Sequence, residues 1–199
     1  PENVAEMASD WWGSPNVVDD GPSFPPNVWL GTSVACQEDA DRNIPHLLKV
    51  PAAVRFVSYE PAVGPVDFGA FVEGEPNGDP RIPGDATGAI YSMPGIDWLI
   101  VGGESGPKAR PCDVAWIRSA VEQCKAAGVA CFVKQLGAKA YIDQPEGAAV
   151  IEDEARKMAE HHSPRGSLTG NGWCFDLKHP KGGDPSEWPE DLRVREFPR

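Results

Sequence analysis

Four short apolar runs mark the chain, and each is followed by glycine, proline or polar residues. Valine, isoleucine, phenylalanine and tryptophan dominate them, which is typical of strands buried on both faces of a parallel sheet. The runs are "NVWLGTSV" (27–34), "AVRFVSYEP" (53–61), "DWLIVGGESG" (97–106) and "VACFVKQLG" (129–137). The pattern predicts four parallel strands, neighbouring one another in chain order, near residues 28–33, 54–59, 98–102 and 130–134.

Helical patterns fill two of the gaps between these runs. Residues 37–50 place apolar side chains on one face, with acids early and Lys49 late, which complements a helix dipole. Pro45 is expected to bend or shorten this helix. After the third run, Asp113 is predicted to cap a helix that closes at Gly128. Because strands and helices alternate, the predicted fold class is α/β with right-handed crossovers.

The remaining segments are less regular, and the whole chain is predicted to form one α/β domain spanning residues 1–199. Its 199 residues, 41% of them hydrophobic, suffice for one core. Residues 62–96 are dense in glycine and proline and predict a long loop with a small hairpin. Residues 151–162 resemble a surface helix. From residue 163 to 199 the pattern is irregular, apart from a short strand at "GWCFDL" (172–177).

Charge argues against one class of partner. With 18 Lys+Arg against 30 Asp+Glu, the formal net charge is -12, which repels a phosphate backbone and disfavours non-specific nucleic-acid binding. No apolar run reaches membrane-spanning length, and no signal peptide is recognisable. These features predict a cytoplasmic protein without a membrane partner. Because the first residue is Pro1, we expect that the sequence has lost an N-terminal portion.

The five cysteines do not form a metal-binding motif. They are scattered, with neither C-x-x-C nor the C-x-x-x-C-x-x-C spacing of an iron–sulfur cluster, so free thiols are predicted. His161 and His162 are adjacent, which is poor spacing for two ligands on one helix face. No metal site is therefore predicted in this chain.

Polar residues stand at the carboxyl ends of all four predicted strands. In a parallel α/β sheet or barrel, this edge is where ligands bind. We expect Glu60, Glu104 and Lys134 to converge there on one concave surface, with the lysine offsetting the two acids. The full set of candidate substrate- or cofactor-binding residues is Ser33, Glu60, Glu104, Ser105, Arg110, Lys134 and Gln135. No catalytic residue is assigned.

The same segments resemble a known family. "PPNVWLGTSV", "NIPHLLKVPAAVRFVSYEP", "DWLIVGGESGPKARP", "FVKQLG" and the ending "EWPEDLRVREFPR" are similar to the C-terminal half of an uncharacterised phage and prophage family with a three-cysteine motif. That family is regarded as radical-SAM-like. The resemblance implies four consecutive parallel strand-helix units, corresponding to the second half of a TIM-like (β/α)8 barrel. The opening "PENVAEM" is similar to a point within the family's N-terminal motif.

The resemblance also carries functional expectations. S-adenosylmethionine and a [4Fe–4S] cluster are implied for the full-length family, but the cluster-binding cysteines would lie in an N-terminal half that is missing here. The expected function is thus to supply polar wall residues of a substrate or cofactor site in a phage-infected or prophage-bearing bacterium. One alternative is a non-catalytic acidic phage protein that binds a host protein. Another is a metal-independent hydrolase with Glu60 and Glu104 as a carboxylate pair.

Overall fold

The central sheet contains four parallel strands. A computed structural model of the chain describes residues 27–71, 93, 95–143, 165–169 and 172–199. Within these residues, β1 (Trp29–Val34), β2 (Val54–Tyr59), β3 (Trp98–Gly102) and β5 (Ala130–Gln135) pair in parallel in that spatial order. The predicted strands and their neighbour relations are confirmed to within about one residue at each end.

Two helices follow the first and third of these strands. Helix α1 (Gln37–Leu48) runs three residues past Pro45, so the proline does not end it. The carbonyl that loses its partner to a proline is that of Asp41, which is exposed and can be solvated. Helix α2 (Val114–Ala127) begins as predicted, because the carboxylate of Asp113 accepts a hydrogen bond from the Ala115 amide at 2.9 Å.

The helices cover one face of the sheet, and the hydrophobic core lies between them. Strand residues alternate in burial, so every second side chain enters this core. The buried set from the strands is Val34, Val57, Tyr59, Leu99, Val101, Cys131 and Val133. On the opposite face the side chains are mostly half-buried or exposed, and Trp29 retains 44% of its accessible surface. The prediction of strands buried on both faces is therefore wrong for this second face, which we call the open face.

The first part of the long β2–β3 connection belongs to the helix layer. Phe68 is fully buried, and its ring packs edge-to-face against Tyr59. The Gln123 side chain on α2 accepts a hydrogen bond from the Phe68 amide at 2.7 Å and donates to the Val66 carbonyl at 2.9 Å. A short 3₁₀ helix, Phe68–Phe71, thus occupies a position between α1 and α2.

A second sheet contacts helix α2. It contains β4 (Cys112–Asp113), β6 (Ala140–Asp143), β7 (Arg165–Thr169) and β8 (Gly172–Asp176), in the order β4-β6-β8-β7. The short strand predicted near residues 172–177 is confirmed. The prediction that residues 163–199 are otherwise irregular is wrong at β7, which pairs antiparallel with β8. The sequence of β7, "RGSLT", contains a single large apolar residue, so no alternation of apolar and polar residues indicated a strand there.

Some predicted elements fall outside the described residues. The hairpin expected within 62–96 and the surface helix expected at 151–162 both belong to this group. Among the helices in the described part of the chain, none is long and apolar enough to cross a bilayer.

Candidate functional site

The open face has an aromatic half at the amino ends of its strands. Trp98 lies at the centre, with ring centroids 6.0, 6.1 and 6.2 Å from those of Trp29, Phe56 and Phe132. The Phe56 ring lies across β1 at Gly31, where a Cβ atom would collide with it. The sheet therefore presents a continuous apolar surface below its carboxyl edge.

Polar groups occupy the carboxyl half of the same face. Ser33 and Ser58 are directly paired in the β1–β2 register, and Glu60 follows two residues after Ser58. One Glu60 oxygen, Oε2, accepts hydrogen bonds from Ser58 Oγ at 3.3 Å and from Lys134 Nζ at 3.1 Å. The Glu60 side chain is 16% exposed and that of Lys134 is 55% exposed. The ion pair thus combines a mostly buried carboxylate with a solvent-facing ammonium group.

An irregularity in β5 accompanies this pair. Val101 is opposite Val133, but the next residue of β3, Gly102, is opposite Gln135, so Lys134 is the additional residue. A bulge of this kind locally changes the direction of the strand and re-aims a side chain. Lys134 projects from this bulge, and its ammonium group reaches the Glu60 carboxylate.

Gly102 provides the space in which the Glu60 carboxylate lies. A Cβ atom at this position would be 2.5 Å from Glu60 Oε1 and 3.2 Å from the backbone oxygen of Gln135. Real Cβ atoms essentially never approach another atom within 3.0 Å. The carboxylate therefore rests against the backbone of β3, and any larger residue at position 102 would require the Glu60 side chain to move.

Glu104 forms a second ion pair in the loop after β3. Its Oε2 accepts hydrogen bonds from Arg110 Nε at 2.7 Å and from the Arg110 amide at 2.9 Å. These hydrogen bonds, the side-chain one foremost, hold the pKa of Glu104 below its ordinary value. The same partner raises the pKa of Arg110. The pair closes the loop on itself and leaves Glu104 about one-third exposed.

The other candidate residues have different surroundings. Ser33 is exposed at the end of β1 on the open face, and Ser105 is exposed in the loop after β3. Gln135 is half-buried, and its Nε2 donates a hydrogen bond to the Gly103 carbonyl at 2.8 Å. This bond holds the loop after β3 against β5. The Gln135 amide group therefore binds the protein backbone instead of facing an open ligand position.

The candidates thus form two clusters. Glu60 and Lys134 are brought together as expected, with Ser58 as a third member. Lys134 was expected to neutralise both glutamates, but its ion pair is with Glu60. Glu104 forms its ion pair with Arg110 instead. No hydrogen bond or ion pair joins the two clusters within the part of the chain that the structure describes. The sequence analysis did not identify Gly102 as the residue against which the Glu60 carboxylate lies. The alternation of side chains between the two faces of β3 was the signal that could have placed Gly102 on the open face.

The thiols do not assemble a metal site with the other residues that the structure describes. Cys36, Cys112, Cys124 and Cys131 are free thiols, and the last three of these are buried. Burial and the nearby Asp113 raise the pKa of Cys112 to about 12. In residues 27–71, 93, 95–143, 165–169 and 172–199, which include all five cysteines, no three His, Cys, Asp or Glu side chains come together as potential ligands. These residues do not fit a cluster that requires three thiolates.

Comparison with known proteins gives a family match. A family profile described as "Protein of unknown function (DUF5131)" matches residues 1–173. Searches of curated proteins and of solved structures found no match.

Proposed function

The chain belongs to DUF5131, a family of proteins of unknown function, and we propose that it forms the C-terminal half of a radical-SAM-like barrel whose open face binds a substrate or cofactor. Four parallel strands in chain order support the barrel relationship, since this is the arrangement of strands in such a barrel. The polar carboxyl half of the open face supports the binding role, because ligands of parallel α/β folds bind at this edge.

The geometry of Glu60 carries the proposal. Two donors, Ser58 and Lys134, already occupy Oε2, whereas Oε1 lies over Gly102. Oε1 is the oxygen that accepts a hydrogen bond from a ligand hydroxyl or ammonium group. Lys134 has three donors and is more than half exposed, so it pairs with a ligand carboxylate or phosphate while keeping its bond to Glu60.

S-adenosylmethionine is a ligand of this chemical type. Its ammonium and ribose hydroxyl groups are donors suited to Glu60, and its carboxylate is an acceptor suited to Lys134. The [4Fe–4S] cluster does not fit the described residues, so no reaction step is assigned through it. We therefore propose that this chain supplies binding and orientation, while the redox centre lies elsewhere.

Titration with S-adenosylmethionine tests the binding role. Isothermal titration calorimetry on the full chain is expected to show binding, and Glu60→Gln and Lys134→Met are each expected to weaken it by about tenfold, the effect of losing one charge-assisted hydrogen bond. Matched controls are Glu190→Gln and Lys125→Met, which change the same charges away from the open face. Absence of binding, or equal weakening by the controls, would contradict the proposal.

Anaerobic iron–sulfur reconstitution tests the assignment of the redox centre. The chain is expected to give no four-iron absorption spectrum, because its thiols are dispersed. A longer gene product containing a three-cysteine motif is expected to give one. A four-iron spectrum from this chain alone would show that the assignment is wrong.

A second candidate function has its own supporting observation. The net charge of -12, together with Trp29 and Phe197 as exposed large apolar side chains, is typical of a surface that contacts another protein. The chain would then be a non-catalytic acidic phage protein that binds a host protein. Capture of one host protein from lysate, with retention lost at high salt, would favour this function. Equal retention in high salt would count against it.

A further inference from the structure

The C-terminal segment forms hydrogen bonds along the outer edge of β5. Strand β3 pairs with one side of β5, and Arg195 forms an antiparallel bridge with Phe132 on the other side. The Val133 amide donates to the Val194 carbonyl at 2.9 Å, and the Glu196 amide donates to the Cys131 carbonyl at 2.8 Å. Strand β5 is therefore paired on both sides over the three consecutive residues 131–133.

The Glu196 side chain extends this pairing. Its Oε2 accepts a further hydrogen bond from the Cys131 amide at 3.2 Å. The Glu196 carbonyl accepts from Trp98 Nε1 at 2.9 Å. Glu196 therefore bonds to both β5 and β3, which joins the edge pairing to the open face.

Aromatic contacts continue from the edge onto the open face. The Phe197 ring lies 5.3 Å from Trp98 and 5.4 Å from Phe132, measured between centroids. The Arg195 guanidinium lies 5.3 Å from the centroid of Phe132 and 5.5 Å from that of Trp188. Trp188 is fully buried, so the segment is anchored to the core just before it reaches the edge.

We propose that the outer edge of β5 is an acceptor surface for a short antiparallel strand, and that residues 194–197 of the same chain are its occupant. An unpaired strand edge is a template for pairing with other chains, and natural proteins cover such edges. With residues 194–197 in place, the parallel sheet ends at β5. Further strands can then join the sheet at β1, so a barrel built on this chain would not close through β5 and would differ in this from the closed eight-stranded barrel that the resemblance implies. This inference holds whether or not the open face binds a ligand.

Removal of the tail and its return as a peptide test the proposal. A chain ending at Arg193 keeps Trp188 and Leu192, the buried anchors. Amide hydrogen exchange at Cys131 and Val133 is expected to become at least about tenfold faster, because each amide loses its acceptor in the tail. A synthetic peptide of residues 190–199, added in excess, is expected to restore slow exchange at both amides.

Internal controls separate edge pairing from global stability. The amides of Leu99 and Val101 lie on the central strand β3 and are expected to exchange at unchanged rates. Should truncation accelerate exchange throughout, Glu196→Pro in the full chain removes the amide donor and the carboxylate acceptor together. It is expected to affect Cys131 but not Leu99. Unchanged exchange at Cys131 in both variants, or a peptide that protects neither edge amide, would overturn the proposal.

Discussion

Substitution of Gly102 by alanine is expected to displace the Glu60 carboxylate. The new Cβ would lie 2.5 Å from Glu60 Oε1, whereas ordinary van der Waals contacts begin at 3.4 Å, so the oxygen must move by roughly 1 Å. A binding group tolerates displacement of only about 0.5 Å before its geometry is lost. The backbone oxygen of Gln135, 3.2 Å from the new atom, restricts movement in the other direction.

The expected free-energy change combines two effects. Overpacking of this kind costs about 1–3 kcal/mol, which includes weakening of the hydrogen bonds from Ser58 and Lys134 to the moved carboxylate. Alanine in a strand interior offsets about 0.5–1 kcal/mol of this through its smaller backbone entropy loss. We therefore expect Gly102→Ala to lower the free energy of unfolding by about 1–2 kcal/mol and to weaken ligand binding by about tenfold or more.

A double-mutant cycle in urea measures the coupling directly. In a Glu60→Ala background the clash with the carboxylate is gone and only the contacts with Gln135 at 3.2 Å remain, so Gly102→Ala should cost less, with a coupling energy of about 1 kcal/mol. Gly64→Ala is the matched control, because its Cβ would meet Cys36 Cβ at 3.4 Å, an ordinary contact. Additive effects of the Gly102 and Glu60 substitutions would refute the view that this glycine provides the space for the carboxylate.

Three further predictions concern other parts of the domain. Since Arg110 lowers the pKa of Glu104, the ion pair contributes stability above the unfolded-state pKa near 4.5, and this stability is lost as the pH falls through the folded-state pKa. Arg110→Gln should therefore raise the Glu104 pKa in a carboxyl ¹³C NMR titration. An unchanged pKa would contradict the pairing. Asp113→Ala removes the α2 cap and should lower the free energy of unfolding in urea by about 1 kcal/mol, whereas no loss would argue against capping. Cys112, with its pKa raised to about 12, should resist alkylation by iodoacetamide in the native chain, while half-buried Cys36 reacts. Mass spectrometry measures the labelling of each thiol, and equal labelling of the two would contradict this prediction.

The open face shows how far local patterns reach. Placing Glu60 and Lys134 near the same edge required only that β2, β3 and β5 be parallel neighbours in one sheet, which apolar runs and chain order predict. The bulge at Lys134 could not be predicted, because it depends on how β5 matches β3 beyond Val101. Arg110 and Glu104 were both predicted as binding residues and are six positions apart in the sequence. The hydrogen bond between them depends on the conformation of the loop that connects them, which the sequence pattern does not specify.

The sequence by itself determined the four strands, the two helices and the helix boundaries at Asp113 and Gly128, because these follow from side-chain periodicity and from bonds between near neighbours. Tertiary structure decided which sheet face stays open, which cation each glutamate meets and where the C-terminal segment lies. The bond from Lys134 to Glu60 spans 74 positions, and that from Cys131 to Glu196 spans 65. Such contacts form only after distant segments have packed, and their geometry depends on the whole core rather than on any local run of residues.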